Sequence, residues 1–254
     1  MAKLNFKSDK HQRLWIGIYS QLKVPVPPLE VQGEIVRILD KFTELTAELT
    51  AELTARKKQY EYYRDQLLGV DHLRTLCPDG VEYQALKDIL TIKNGSDYKT
   101  FPAGSIPVYG SGGIMAYVDR FSYDKPSVLI PRKGSIDKLY YVETPFWNVD
   151  TIFYTVIDTS KVLPRYVYYC LKKKHLETLN TASGVPSLTQ AVLNKVTIPV
   201  PPLEVQGEIV RILDKFDALC SDLSSGLPAE IEARRKQYEY YRDKLLSFKE
   251  KETA

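Results

Sequence analysis

The chain has 254 residues, 44% of them hydrophobic and 26% charged, and a net charge of +3 at pH 7. This composition is typical of a globular protein, and the charge is too small to indicate a nucleic-acid partner by itself. No apolar run is long enough for a bilayer-spanning helix, and the first residues lack the apolar stretch of a signal peptide, so we expect a cytoplasmic protein. The three cysteines and three histidines are scattered, which argues against disulfides and a metal site.

One helical sequence occurs twice. Val24–Phe42 reads VPVPPLEVQGEIVRILDKF, and Ile198–Phe216 differs from it only in the first residue. The similarity resumes at Ala55 with ARKKQYEYYRDQLL and at Ala233 with ARRKQYEYYRDKLL. We name the earlier pair of segments copy one and the later pair copy two. Such a repeat indicates two equivalent structural units with unrelated sequence between them.

Copy one predicts a single long helix. From Leu29 to Leu68 apolar residues recur every three or four positions without a proline, and a helix of this length needs a partner helix to cover its apolar side. Its centre, Glu44–Ala55, repeats the unit ELTA, and each four-residue unit adds about 6 Å of helix. We interpret these units as a length-setting spacer, although Ala, Glu and Leu are also simply good helix formers.

Copy two predicts two helices instead of one. Ser224, Ser225 and Gly226 end the first, and Pro228 suits the first turn of the second. Between the copies, short β-branched and aromatic runs alternate with turn residues, and LPRYVYYCLKKKHLETL reads as a helix. We therefore predict a mixed α/β (α+β) fold, with one globular domain flanked by two long helices that pack as an antiparallel coiled coil. The expected divisions are an unassigned segment 1–23, a first helical region 24–70 with spacer repeats, a globular domain 71–200 and a second helical region 201–254.

These motifs, in this order, closely resemble the DNA specificity (S) subunit of type I restriction–modification systems, in the branch with Thr-Ala-Glu-Leu spacer repeats. The resemblance implies target recognition domains that each read one half of a split DNA sequence. It also implies conserved helices that dock methyltransferase (M) subunits, with restriction (R) subunits joining indirectly. In that family M carries adenine methylation and S catalyses nothing.

The chain departs from the family pattern because it has both helical regions but only one recognition domain. It is either a fragment of a longer subunit or a half-size subunit that works as a homodimer. Two copies would restore two recognition domains and two-fold symmetry, so that the target in double-stranded DNA would become a split palindrome.

The sequence contains no recognisable catalytic motif. VPPL at Val26–Leu29 and at Val200–Leu203 lacks the polar first residue and the aromatic last residue of an adenine methyltransferase motif, and YGSGG at Tyr109–Gly113 lacks the Lys-Ser/Thr of a phosphate-binding loop. We expect no catalytic residue, cofactor or metal.

Loops of the globular region carry cations for phosphates and polar groups for base edges. The candidate DNA-binding residues are Lys93, Asn94, Ser96, Lys99, Tyr109, Ser111, Arg132, Lys133, Ser135, Lys138, Thr181, Ser183 and Ser187. The pair Arg132 and Lys133 is the strongest candidate because it lies beside Gly134 in an exposed loop, whereas Tyr109 equally suits the core. Lys172–Lys174 reads as a DNA contact or as a solvated helix end.

The conserved helices carry a duplicated polar and aromatic stretch. Its candidate docking residues are Arg56, Lys57, Tyr60, Tyr63, Arg234, Arg235, Tyr238 and Tyr241. The alternative is the solvated face of a coiled coil. Two other functions stay open: a stand-alone coiled-coil DNA-binding regulator, and an assembly scaffold with a silent middle domain.

Overall fold

The computed structural model describes residues 23–180, 184–221 and 225–249. It divides the chain into two compact units: unit 1 holds residues 1–57 and 218–254, and unit 2 holds residues 58–217. Both boundaries fall inside helices of the repeat, so each unit contains part of both copies.

The helices follow the predicted difference between the copies. Helix α1 runs unbroken over Leu29–Leu67, whereas copy two forms α6 over Leu203–Ser221 and α7 over Leu227–Leu245, with Pro228 in the first turn of α7. In the spacer, the threonine hydroxyls donate to carbonyl oxygens four residues earlier, as Thr50 does to Thr46 at 2.7 Å. This pattern leaves no hydroxyl hydrogen free on the threonine face of the spacer.

Within unit 1, the spacer part of α1 lies against α7. The rings of Phe42 and Tyr241 are stacked with centroids 5.3 Å apart. A groove is lined on one side by the spacer and on the other by Arg235 and Tyr238. Phe42 is early in its helix and Tyr241 late, which agrees with an antiparallel pair; a coiled coil in the strict sense stays a prediction.

Unit 2 contains the mixed globular domain. Its helices are α2 (Val70–Leu76), α3 (Leu86–Ile89), α4 (Pro164–Lys173) and α5 (Gln190–Leu193), with a 3₁₀ turn at Leu176–Leu179. Its strands are β1 (Glu82–Ala85), β2 (Leu90–Lys93), β3 (Ala103–Gly110), β4 (Gly113–Val118), β5 (Ser127–Pro131), β6 (Tyr140–Val142), β7 (Trp147–Asn148), β8 (Ile152–Ile157) and β9 (Thr197–Val200). The predicted mixed α/β fold is confirmed.

The strands form three small sheets. Strands β1 and β9 pair antiparallel, a second sheet has the order β2-β8-β5-β6, and a third has the order β4-β3-β7 with β3 and β7 parallel. Every residue of β5 is buried: the strand is interior to its sheet, and α4 packs against it. Ser127 and Thr155 join β5 to β8 inside the core, where the Ser127 hydroxyl donates to the Thr155 carbonyl at 2.8 Å. The domain therefore presents its loops on a well-packed core.

No helix in ranges 23–180, 184–221 and 225–249 is long and apolar enough to cross a bilayer. The same ranges contain no cluster of His, Cys, Asp and Glu with the geometry of a metal site.

Candidate nucleic-acid interface

The loop that follows β2 is held by its backbone and leaves its polar side chains exposed. Ser96 N–H donates to the Asn148 carbonyl at 2.9 Å, and the Trp147 indole donates to the Ser96 carbonyl at 2.9 Å. Gly95 lies so close to β7 that a Cβ atom there would be 2.2 Å from the Val149 carbonyl oxygen, so only glycine fits. The backbone of this loop is therefore held against β7.

The tip of the β3–β4 hairpin contacts the loop that follows β5. The Tyr140 hydroxyl donates to the Ser111 carbonyl at 3.1 Å, and Gly134 faces the Ser111 hydroxyl. Gly134 has a φ of 79°, a left-handed conformation that favours glycine. Burial raises the pKa of Tyr140, which therefore remains protonated and able to donate.

The loop after β5 also pairs with the segment before α5. Lys133 and Ser187 form an isolated antiparallel bridge, and Gly134 N–H donates to the Pro186 carbonyl at 3.0 Å. On the other side, Arg132 N–H donates to the Thr151 carbonyl at 3.0 Å. Three segments that are distant in sequence therefore meet at this loop.

These contacts bring most of the predicted DNA-binding residues into one connected region, which we name the candidate DNA surface. Its exposed members are Lys93, Asn94, Ser96, Lys99, Lys133 and Lys138, and its half-buried members are Tyr109, Ser111, Arg132, Ser135 and Ser187. Thr181 and Ser183 lie outside the described residues. The four lysines make no ion pair within the described part of the chain, so their charges are available to an anionic ligand.

Two of these candidates have a packing role as well. Tyr109 lies against the core of Leu129, Val142, Phe146 and Ile152, and burial raises its pKa. The Arg132 guanidinium lies over the Phe153 ring, 5.3 Å from its centroid, which restricts its position. Whether either residue contacts DNA stays a prediction.

Sequence reasoning missed the residues that support the candidate DNA surface. Trp147 and Tyr140 act through single hydrogen bonds to backbone carbonyls, and Asn148 is fully buried and donates to the Ile152 carbonyl at 2.9 Å. Their only signal in the sequence is that Trp, Tyr and Asn occur in otherwise apolar runs. Because the hydrogen-bond partners are distant in sequence, no local pattern identifies them.

The predicted docking residues differ in accessibility. Tyr60 is 9% exposed, and burial raises its pKa. Tyr63 stacks on Phe216 with centroids 5.3 Å apart. Tyr63 and Phe216 are equivalent to Tyr241 and Phe42, which are also stacked. The same stack therefore occurs once in each unit. Arg56, Lys57, Arg234, Arg235 and Tyr238 are exposed or half-buried on α1 and α7.

The most exposed tyrosines of the helices were not among the candidates. Tyr62 is 60% exposed and its equivalent Tyr240 is 61% exposed. Each meets the next tyrosine edge to face, at 5.5 Å and 5.3 Å between centroids. The two copies therefore present the same aromatic pair to solvent, with one tyrosine of each pair stacked on a phenylalanine behind it.

The basic C-terminal end of α4 packs against the end of α1 within unit 2. The Lys173 ammonium donates to the Asp65 carbonyl at 2.9 Å, and Lys172 lies over the Tyr168 ring at 5.6 Å. Burial lowers the pKa of both lysines. Lys172 and Lys173 therefore have a packing role at the end of α4.

Comparison with known proteins assigns the class. The family model of the type I restriction modification DNA specificity domain matches residues 3–56 and 78–233. The chain is 37% identical over 285 aligned positions to the EcoR124I/EcoR124II specificity subunit of Escherichia coli, covering 98% of this chain and 69% of that subunit. A protein of Mycoplasma pneumoniae named as a type I specificity subunit is 31% identical, with 91% of this chain and 95% of that protein covered.

Solved structures show the same fold. The crystal structure of a type I restriction–modification S subunit from M. genitalium superposes with a TM-score of 0.61 at 20% identity, covering 85% of this chain and 60% of that chain. The chain belongs to the type I restriction modification DNA specificity family. The family match begins at residue 3, so it includes most of the segment that sequence reasoning left unassigned.

Proposed function

We propose that this chain recognises DNA for a type I restriction–modification complex, reading a half-site through residues 71–197 and binding M subunits through its helices. R subunits would join through M. The observation that carries the proposal is the candidate DNA surface, where loops from separate parts of the sequence meet and expose four lysines without ion pairs in the described chain. Lysines provide affinity for phosphates, and the serine, asparagine and backbone groups between them provide polar contacts to base edges.

The repeated aromatic pairs support docking of two equivalent partners. Tyr62 and Tyr240 have nearly equal exposure and equal neighbours in the two copies. Exposed tyrosines backed by a rigid stack are typical anchors of protein interfaces. Two identical anchors suit two identical M subunits, and Tyr62 and Tyr240 are better placed for this contact than the buried Tyr60.

We further propose that two copies of the chain act together. One domain reads one half-site, and a two-fold pair of chains would read a split palindrome. The M. pneumoniae relative supports this arrangement, because the alignment with this chain covers 95% of its length.

The spacer repeats would set the distance between half-sites. Each four-residue unit lengthens α1 by about 6 Å and turns it by about 40° beyond one full turn. Deletion of Thr50–Leu53 should therefore change the number of base pairs between the half-sites and leave the half-site sequences unchanged. Altered half-sites would contradict the spacer function.

The decisive experiment combines the chain with its M subunit and S-adenosylmethionine and maps methylated adenines across a genome. We expect one split palindrome, and loss of methylation when Lys133 is changed to Glu but not when the exposed Lys195 is. Methylation by the chain alone would contradict the proposal. Tight, sequence-specific binding without M would favour the stand-alone regulator. An unchanged target after exchange of residues 71–197 for another recognition domain would favour the scaffold.

A further inference from the structure

Helix α4 is attached to α6 by a set of charged and polar contacts that the DNA surface does not use. The Arg165 Nε lies 2.8 Å from Asp214 Oδ1, and its Nη2 lies 3.1 Å from Asp217 Oδ2. The Tyr169 hydroxyl, one turn further along α4, donates to the Asp214 carboxylate. Two positions on α4 are therefore fixed to two positions on α6.

The guanidinium of Arg165 is also enclosed by aromatic rings. Its central carbon lies 4.6 Å from the ring centroid of Tyr141, 5.5 Å from that of Tyr168 and 5.4 Å from that of Tyr169. Burial would lower the pKa of Arg165, but the hydrogen bond to Asp214 and the neighbouring charges raise it overall. The side chain is thus held in one orientation by its rings and its ion pairs together.

Gln206 forms a second attachment at the start of the same helix. Its side chain is fully buried; it accepts from Leu163 N–H at 2.8 Å and donates to the carbonyls of Lys161 and Pro201 at 3.0 and 2.7 Å. Lys161 and Leu163 lie in the turn that leads into α4, whereas Pro201 lies just before α6. Because Gln206 and Asp214 are about two turns apart on α6, the attachments fix both the position and the direction of α4.

Directional contacts fix the register of α4 on α6 more strictly than apolar packing, which tolerates small shifts. Hydrogen bonds to ionised groups depend steeply on geometry, so a displacement of one helical turn, about 5.4 Å, would break all of them. Ion pairs also add little net stability once their desolvation is counted, so their main effect here is to fix geometry. We name these residues the Arg165 cluster: Arg165, Tyr169, Gln206, Asp214 and Asp217. The cluster holds α4 and α6 in a single register, and we call this effect the register lock.

We propose that Arg165 is a positioning residue that sets the register of the recognition domain on α6 and thereby the spacing between the two DNA half-sites. This role rests on the proposed function, since it takes the domain as the DNA reader. It differs from the spacer repeats, which change the length of α1, because the Arg165 cluster lies wholly within unit 2.

The functional test measures spacing selectivity. Arg165→Lys keeps the charge but loses the fork that reaches both aspartates, and Asp214→Asn removes the shared carboxylate charge. Asp40→Asn is the matched control, because Asp40 is the exposed copy-one equivalent of Asp214. With M present, methylation is measured on DNA duplexes whose half-sites are separated by the normal spacing or by one base pair more or less.

For Arg165→Lys and Asp214→Asn we expect the preference for the normal spacing to fall about tenfold, the loss expected from one charge-assisted hydrogen bond. The half-site bases should stay the same, and Asp40→Asn should match the wild type. A uniform loss of methylation at all spacings, or an unchanged preference, would overturn the proposal. If Arg165→Lys folds poorly by thermal melting, Tyr169→Phe replaces it and gives the same contrast.

A second measurement tests the positioning role of Arg165 without using methylation. Spin labels on Lys138→Cys in the domain and Lys215→Cys on α6 report their distance, and the native Cys77, Cys170 and Cys220 are buried and do not compete for the label. Arg165→Lys should broaden the distance distribution, whereas Asp40→Asn should not. A failure of the wild type to methylate with M would contradict the proposed function, and an unbroadened distribution would contradict the register lock.

Discussion

Copy one and copy two show how the same sequence behaves in two environments. In copy two, Gln206 and Leu213 are fully buried against the globular domain, whereas the equivalents Gln32 and Leu39 are only half-buried in unit 1. Both glutamines still donate to the same proline carbonyl, at 2.7 Å in each copy. The local contacts therefore come from the sequence, and the neighbouring domain decides which residues become core.

The segment before each helix also depends on the neighbouring domain, which decides whether it forms a strand. Thr197–Val200 forms β9 because β1 pairs with it, and Ile198 is fully buried. The equivalent of Ile198 in copy one, Val24, is 75% exposed in a segment without strand structure. Val24–Val26 and Ile198–Val200 differ in one residue, yet this sequence is part of a strand only where a partner strand is present, which shows how strongly β-structure depends on context.

The largest difference between the copies should appear in core truncation. Leu213→Ala should lower the free energy of unfolding by about 2 to 5 kcal/mol, because a fully buried leucine leaves a cavity. Leu39→Ala should cost about 1 to 2 kcal/mol, because a half-buried side chain loses less apolar contact. Urea denaturation followed by circular dichroism measures both. Equal losses would mean that the domain contributes nothing to the burial of α6.

The sequence predicted the parts of this molecule whose causes are local. The unbroken α1, the break before Pro228 and the helix at Pro164 follow from spacing, proline and turn residues, and all are present. The sequence also indicated the loops of the candidate DNA surface. It did not reveal the contact of Arg165 with Asp214, which joins residues 49 positions apart and depends on how α4 packs.

A medium effect is expected for the two glutamines. Gln206→Ala leaves the Leu163 N–H and the Lys161 carbonyl without their partner, and this should cost about 1 to 3 kcal/mol of unfolding free energy. Gln32→Ala removes one contact on a solvent-accessible helix start and should cost about 0.5 kcal/mol or less. Thermal melting of the two variants side by side gives the comparison. A larger loss for Gln32→Ala would show that copy one is more tightly packed than its exposure indicates.

The smallest effect concerns a contact that the domain leaves untouched in both copies. Arg37 Nε donates to Glu34 at 2.8 Å, and Arg211 Nε donates to Glu208 at 3.1 Å, with all four side chains more than half exposed. These hydrogen bonds lower the pKa of both glutamates.

Carbon-detected NMR titration should therefore place the pKa of Glu34 and of Glu208 below the usual glutamate range and close to each other. A lowered pKa in the folded state gives stability that is present above the unfolded-state pKa and is lost as the pH falls through the folded value. Arg37→Gln and Arg211→Gln should each raise the pKa of the neighbouring glutamate to its usual range. Because both pairs are in water, neither substitution should measurably change the melting temperature. A clear difference between the two glutamates would show that the domain influences α6 beyond the residues that it buries.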